Sequence, residues 1–173
     1  MSRTLAVLSP LACLLLAACS PSGPAQSEYS MGERVPVGQL TYSVVDTSWK
    51  GQLGDGYQVR TPNQRFLLVT VSVTNGGGSE ISMPLLQLEG ANGQMYKEVN
   101  NGEGVDNYIG LLRNIAPAQT LQGRLLFDVP LSSYRLRVVD GVDPAFEKAA
   151  WVKLPLNLDG DAPLVSLPGG GIK

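Results

Sequence analysis

Two patterns of hydrophobicity divide this chain. An almost uninterrupted apolar run extends from Leu5 to Ala18, and short segments of alternating apolar and polar residues follow it. Alternation with a period of two places every second side chain on one face of a β-strand, so these segments predict half-buried strands. The clearest is Phe66 to Asn75, in which leucine and valine alternate with threonine and serine.

Short predicted strands account for most of the remaining chain. They are separated by turn sequences about every ten residues, with no long helical pattern, which predicts an all-β sandwich of seven to nine strands. Pro84 indicates a bulge or an edge position. Residues 108–115 fit either a strand or one helical turn, 143–150 fit a short helix, and 152–158 fit an edge strand. The other predicted strands are 34–37, 40–44, 81–88, 94–99, 121–129 and 134–138.

The apolar run at the start is typical of a secretory signal. It follows a single basic residue, Arg3, and is shorter than the roughly 20 apolar residues that a membrane span requires. Leu16-Ala17-Ala18-Cys19 at its end resembles the lipobox of bacterial lipoproteins. The resemblance implies cleavage between Ala18 and Cys19 and a lipid on the Cys19 sulfur. The alternative is an ordinary signal peptide with an incidental cysteine.

The lipobox resemblance implies a location and an order of segments. Ser20 follows the cysteine where an aspartate commonly retains lipoproteins in the inner membrane, so we expect the outer membrane, facing the periplasm. The predicted order is a signal peptide (1–18), a lipidated cysteine with a flexible tether (19–32), a sandwich (33–160) and a loose C-terminal tail (161–173).

Composition removes several classes of function. After residue 18 the chain carries 12 Lys and Arg against 15 Asp and Glu, scattered along the sequence, so we expect no nucleic-acid partner. Cys13 leaves with the predicted signal and Cys19 is modified, so the folded domain has no disulfide. The chain has no histidine, which removes the commonest general base and metal ligand. We therefore predict no enzyme activity, no cofactor and no metal site.

Three motifs in order resemble a bacterial domain family of unknown function. The first is the strand Arg65 to Asn75, and the second is a hairpin with Leu88, Gly93 and Tyr96. The third is a strand that begins after Pro117 and ends in Phe127-Asp128-Val129-Pro130. Residue 118 is alanine, whereas the family often has glycine there.

This family resemblance covers residues 33–158 and implies a more specific fold. It implies a telokin-like, immunoglobulin-like antiparallel β-sandwich of the kind common in surface lipoproteins. It implies no agreed activity and no catalytic residues.

The polar loop from residue 100 to 107 is the first candidate binding site. Its oxygen donors suit a hard cation, but their spacing is not that of an EF-hand, and a solvated loop is the simpler interpretation. The candidate residues are Asn100, Asn101, Glu103, Asp106 and Tyr108.

Three aromatic side chains are the second candidate site. Trp49 and Tyr57 lie in or beside predicted loops, and Trp151 lies on the polar side of the last strand. Exposed aromatics often anchor protein partners, whereas aromatics at the ends of a sandwich also close its core.

The leading hypothesis is a lipid-anchored envelope module that binds another macromolecule through a loop end or an edge strand. The alternative is a small-ligand or metal-ion sensor with a pocket under the loop that ends at Tyr108. An enzyme is disfavoured by the missing histidine.

Overall fold

The chain forms eleven strands and no helix over the residues that the computed structural model describes, which are 27–143 and 145–158. The prediction of an all-β protein is confirmed. No helix of this part is long and apolar enough to cross a membrane. The strands are β1 (Glu28–Tyr29), β2 (Val35–Val37), β3 (Leu40–Lys50), β4 (Phe66–Asn75), β5 (Ile81–Ser82), β6 (Gln87–Glu89), β7 (Met95–Lys97), β8 (Asn114–Ile115), β9 (Thr120–Asp128), β10 (Tyr134–Val139) and β11 (Ala149–Leu154).

Two sheets form the sandwich. One has five strands in the order β1-β11-β10-β6-β7, and the other has four in the order β2-β3-β4-β9. A separate two-stranded sheet joins β5 to β8. All pairs are antiparallel except β1 with β11, which are parallel.

The main core lies between the two larger sheets and follows the predicted alternation. Val69 and Val73 of β4 are fully buried, as are Phe127 of β9, Leu136 of β10 and Val152 of β11. Each such side chain contributes about 1.5–3 kcal/mol of stabilisation relative to an exposed one. Because this part of the chain contains no cysteine, the sandwich is held together by burial and hydrogen bonding.

The strand count exceeds the predicted seven to nine because several elements have only two residues. The predicted strand 81–88 is split into β5 and β6, and Pro84, which has no N–H to donate, lies between them. The predicted helix at 143–150 is wrong. Its described residues form a turn, and β11 begins at Ala149.

The start of the domain also differs from the prediction. Residues 28 and 29, assigned to the flexible tether, pair with β11 through Glu28–Trp151 and Tyr29–Val152. The last strand is therefore not an edge strand, because it lies between β1 and β10. Residues 27–32 are polar and show no strand pattern. β1 therefore forms only because its backbone can hydrogen-bond to the edge of β11.

Ala118 occupies a strained backbone conformation. Its φ is 59°, in the left-handed region that glycine adopts without a steric penalty, and its N–H donates to the carbonyl of Asn75 at 2.9 Å. This is the position at which the family that the sequence resembles often has glycine. Alanine in place of glycine therefore destabilises this turn locally.

We expect Ala118→Gly to raise the free energy of unfolding by about 1 kcal/mol, because it removes the penalty of a left-handed alanine. Chemical denaturation measures the change. The control is Ala91→Gly, at an exposed turn position outside the left-handed region, which we expect to be destabilising by about 0.5–1 kcal/mol. Equal effects of the two substitutions would contradict the argument.

Candidate functional site

A groove of about 830 Å³ lies at one end of the five-stranded sheet, where β10 begins and β11 ends. The segment that follows β1 closes one side of it, and the turn after β6 closes the other. We call this feature the groove. Its lining consists of Glu28, Ser30, Met31, Glu89, Gly90, Ala91, Ser133, Tyr134, Arg135, Lys153, Leu154 and Pro155.

Tyr134 gives the apolar part of the groove a fixed shape. Its hydroxyl donates to the carbonyl of Pro130 at 2.6 Å, and its ring meets Tyr96 edge-on with centroids 5.6 Å apart. Burial raises the pKa of Tyr134 to about 12, so the phenol stays neutral at physiological pH. Trp49 packs against the same ring at 6.3 Å. The ring is therefore held on several sides before any ligand arrives.

Charged groups of both signs line the same groove. Arg135 contacts Glu89 at 2.7 Å and Glu28 at 3.4 Å, and Lys153 contacts Glu28 at 2.8 Å. Hydrogen bonds from Lys153 and Arg135 lower the pKa of Glu28, and the hydrogen bond to Glu89 raises the pKa of Arg135. Solvent-exposed ion pairs contribute only about 0–1 kcal/mol to stability. A charged ligand can therefore replace one partner of such a pair at little cost in free energy.

The three predicted aromatic anchors have different positions. Trp49 is buried in the main core, as the core-closing alternative has it, and is therefore not an exposed anchor. Tyr57 is fully exposed in the hairpin that the Leu53–Arg60 bridge closes. Trp151 is half-buried on the outer face of the five-stranded sheet, and its indole N–H donates to Glu89 at 2.6 Å. None of the three lines the groove, but Trp151 contacts its residue Glu89 and Trp49 packs against its residue Tyr134.

Trp49 is buried because of a β-bulge. The register of β3 against β4 shifts between Val44 and Asp46, which adds one residue to β3. The inward-facing positions are Leu40 and Val44 before the bulge and Trp49 after it. A β-bulge reverses the expected parity of every later residue in its strand.

The predicted binding loop is a structural cover over the outer face of the four-stranded sheet. The Tyr108 hydroxyl donates to the carbonyl of Val99 at 2.7 Å, and the Val99 N–H donates to Leu126 of β9 at 2.8 Å. The loop is also held by Arg60, whose guanidinium donates to the Asn101 carbonyl at 2.7 Å. Asn100, Glu103 and Asp106 are exposed, and of these three only Asp106 lines a shallow space beside Gly54 and Asp55.

Side chains fill the space beneath this loop. Leu53, Phe66, Leu68 and Leu126 form a second buried cluster, and Val99, Val105 and Tyr108 pack on it. The shallow space, of about 430 Å³, lies between the loop and the turn at residues 54–55, lined by Gly54, Asp55, Gly104, Val105 and Asp106. Over the two described ranges, no three His, Cys, Asp or Glu side chains are grouped to hold a metal.

The sequence analysis missed a buried ion pair between Arg113 and Glu98. Both side chains are almost completely inaccessible, and the guanidinium donates to both carboxylate oxygens. Glu98 also accepts the Leu86 N–H at 2.5 Å, while Arg113 donates to the carbonyls of Gly110 and Pro84. The pair joins the segments around β6, β7 and β8. No periodic pattern marks either residue as buried.

The remaining predicted site residues, Ala18 and Cys19, lie outside the described residues. Cleavage between them and lipidation of Cys19 therefore remain predictions.

The fold and the groove define an all-β sandwich module. The chain belongs to the family described as "Domain of unknown function (DUF4352)", whose model matches residues 29–149. No curated protein sequence matches this chain. The family assignment brings no activity with it.

Solved structures share this fold at low sequence identity. The yjhA protein of Bacillus subtilis is 18% identical, with 73% of this chain and 98% of that chain covered and a TM-score of 0.57. A candidate lipoprotein of the same organism, ycdA, is 17% identical over 71% of this chain and 38% of that one, with a TM-score of 0.55. The secreted protein MPT63 of Mycobacterium tuberculosis is 16% identical over 76% and 99%, with a TM-score of 0.50. These similarities show the fold alone.

Proposed function

We propose that this protein is a lipid-anchored module of the cell envelope whose groove binds a segment of another macromolecule. The observation that carries the proposal is the groove itself, which combines fixed apolar side chains with exposed charges of both signs. This combination suits an extended protein segment in which an apolar side chain is flanked by charged or polar residues.

The anchor and location rest on the sequence. The lipobox-like Leu16-Ala17-Ala18-Cys19 favours a lipid on Cys19, and Ser20 favours the outer membrane, facing the periplasm. A candidate lipoprotein and a secreted protein among the structural neighbours agree with an envelope or extracellular location. The order of the family motifs supports a telokin-like, immunoglobulin-type sandwich.

We propose a binding role rather than catalysis because of the state of the groove carboxylates. Glu28 accepts hydrogen bonds from two cations that lower its pKa, which is the opposite of what a general acid requires. Glu89 is bound to Arg135 and to the Trp151 indole. Both carboxylates thus hold the charged lining in position.

Site-specific photocrosslinking in cells tests the groove. A photoreactive residue in place of Ser133, which lines the groove and is exposed, is expected to give a discrete protein adduct. The matched position is Gln122 on β9, exposed on the other sheet, which is expected to give none. Equal adducts from both positions, or none from either, would count against the proposal.

A charge reversal in the groove sharpens this test. Lys153→Glu places a negative charge beside Glu28, and we expect it to reduce the Ser133 adduct about tenfold, the change that a loss of about 1.4 kcal/mol in binding produces. The control is Lys97→Glu on β7, an exposed lysine of the same sheet outside the groove lining, which is expected to leave the adduct unchanged.

A small, largely apolar ligand is the second candidate, since the groove volume lies within the range of roughly 300–1,000 Å³ typical of small-molecule sites. Native mass spectrometry of the purified protein distinguishes the two, because a retained molecule of low mass favours the small ligand.

A further inference from the structure

Five exposed apolar side chains occupy the end of the sandwich opposite to the groove. Leu112 is 96% exposed and Phe146 is 79% exposed, and each of the others is about half exposed. Single exposed apolar residues are ordinary, but a group of them marks a contact surface. We call this group the apolar tip; it consists of Leu85, Leu111, Leu112, Val142 and Phe146.

The chain segments that carry the apolar tip meet at Pro84. The Pro84 carbonyl accepts a hydrogen bond from Arg113 at 3.3 Å, which places the residues just before Arg113 beside it. Gly141 lies against the Pro84 ring so closely that an added Cβ would stand 3.2 Å from the ring's Cδ. Leu85 follows Pro84, Leu111 and Leu112 precede Arg113, and Val142 follows Gly141. Phe146 lies in the same connection as Val142.

An ion pair and backbone hydrogen bonds anchor the segments that carry the apolar tip. Arg113 and Glu98 form the buried ion pair, and Met83 donates its N–H to the Arg113 carbonyl at 2.9 Å. In the connection between β10 and β11, the Phe146 N–H donates to the Asp143 carbonyl at 2.8 Å. Hydrogen bonds thus join the backbone next to these exposed side chains to the rest of the domain.

The apolar tip and the groove lie at opposite ends of β10 and β11. The groove contains Tyr134, where β10 begins, and Leu154, where β11 ends. Val142 and Phe146 belong to the connection that follows the end of β10 and precedes the start of β11. A strand of six residues rises about 20 Å, which separates the two surfaces.

The direction of β1 shows which end the N-terminal anchor approaches. β1 runs parallel to β11, and the Ser27 carbonyl accepts the Trp151 N–H at 3.0 Å. The chain therefore enters β1 from the end at which β11 begins, which is the end of the apolar tip. Cys19 is eight residues before Ser27, a distance of at most about 28 Å and on average about 16 Å.

We propose that the apolar tip rests on the lipid bilayer in which the acyl chains of Cys19 are embedded, so that the groove faces away from the membrane. This inference rests on the proposed lipid anchor. A lipid chain and a set of apolar side chains are two independent membrane attachments, the combination that gives stable association. The connection also carries Asp140, Asp143, Glu147 and Lys148, three acids against one base, so the attraction is apolar and not electrostatic.

Fluorescence quenching with the lipidated protein after signal cleavage, in phosphatidylcholine vesicles, tests the orientation. Acylation blocks Cys19, so Phe146→Cys supplies a thiol for an environment-sensitive dye. We expect spin-labelled lipid to remove about half of its fluorescence, because interfacial side chains enter the headgroup region by about 5–10 Å. Leu112→Cys is expected to behave alike.

The control is Tyr57→Cys, which is fully exposed and follows the end of β3 that packs against Tyr134. We expect its dye to remain unquenched. Equal quenching at positions 57 and 146, or none at either, overturns the orientation. An emission shift at 146 that grows with the protein-to-lipid ratio, without quenching by spin-labelled lipid, overturns it in favour of contact between two copies.

Intact mass separates this proposal from the anchor on which it rests. A protein that carries no lipid on Cys19 refutes the anchor, and the membrane orientation with it. A lipidated protein whose position 146 stays in water refutes the orientation alone and leaves the anchor and the groove standing.

Discussion

Arg113→Met is expected to lower the free energy of unfolding by about 3–5 kcal/mol. The substitution leaves the Glu98 carboxylate buried, with the Leu86 N–H as its remaining described partner. It also removes the donor from the carbonyls of Gly110 and Pro84. Urea denaturation followed by tryptophan fluorescence measures the change.

The matched control is Arg137→Met. Arg137 also pairs with a glutamate, Glu147, at 2.5 Å, but its side chain is 29% exposed, so we expect a loss below about 1 kcal/mol. A double variant, Arg113→Met with Glu98→Leu, is expected to recover part of the loss because no unpaired charge stays buried. If Arg113→Met has no more effect than Arg137→Met, the buried pair is not what fixes this region.

Asn75→Leu is expected to be destabilising by about 3 kcal/mol. The fully buried Asn75 amide donates to the carbonyls of Ser79 at 2.7 Å and Ile115 at 2.8 Å, and it accepts the Gly77 N–H at 2.8 Å. Leucine satisfies none of the three, and each unsatisfied buried polar group costs about 1–3 kcal/mol.

An exposed asparagine provides the comparison for Asn75. Asn101 accepts the Glu103 N–H at 2.8 Å, two residues ahead, just as Asn75 accepts the N–H of Gly77. Because water replaces a lost bond at the surface, we expect Asn101→Leu to change the free energy of unfolding by less than about 1 kcal/mol. Thermal unfolding of both variants measures the difference, and similar losses would refute the role of burial.

The sequence predicts the long strands well because their burial pattern is local. The predicted strand Phe66 to Asn75 coincides with β4, since every second residue from Leu67 to Val73 is apolar and turn residues follow the strand. The predicted strand 40–44 is too short, because β3 continues to Lys50, and one extra residue after Val44 turns Trp49 inward instead of leaving it in or beside a loop. A bulge of this kind depends on the neighbouring strand, which periodicity does not describe.

The groove could not be predicted from the sequence, because it too depends on which strands become neighbours in the fold. The groove combines residues from four strands, and one of them, β1, has no strand pattern of its own. The polar composition of the loop ending at Tyr108 suggested a binding loop. Its apolar side chains pack instead on the second cluster, through Val99, Val105 and Tyr108. Arg113 and Glu98 are 15 positions apart in loops, so only the folded chain brings them together.

The pairing of β1 with β11 has a consequence for how the protein is made. Glu28 and Trp151 are 123 positions apart, so the hydrogen bonds of β1 cannot form until β11 has been synthesised and folded. Contacts of such long sequence separation fold slowly, because a large loop must close before they provide any stabilisation. A chain still emerging from the ribosome, or one shortened before Ala149, therefore leaves the edge of β10 uncovered and open to self-association.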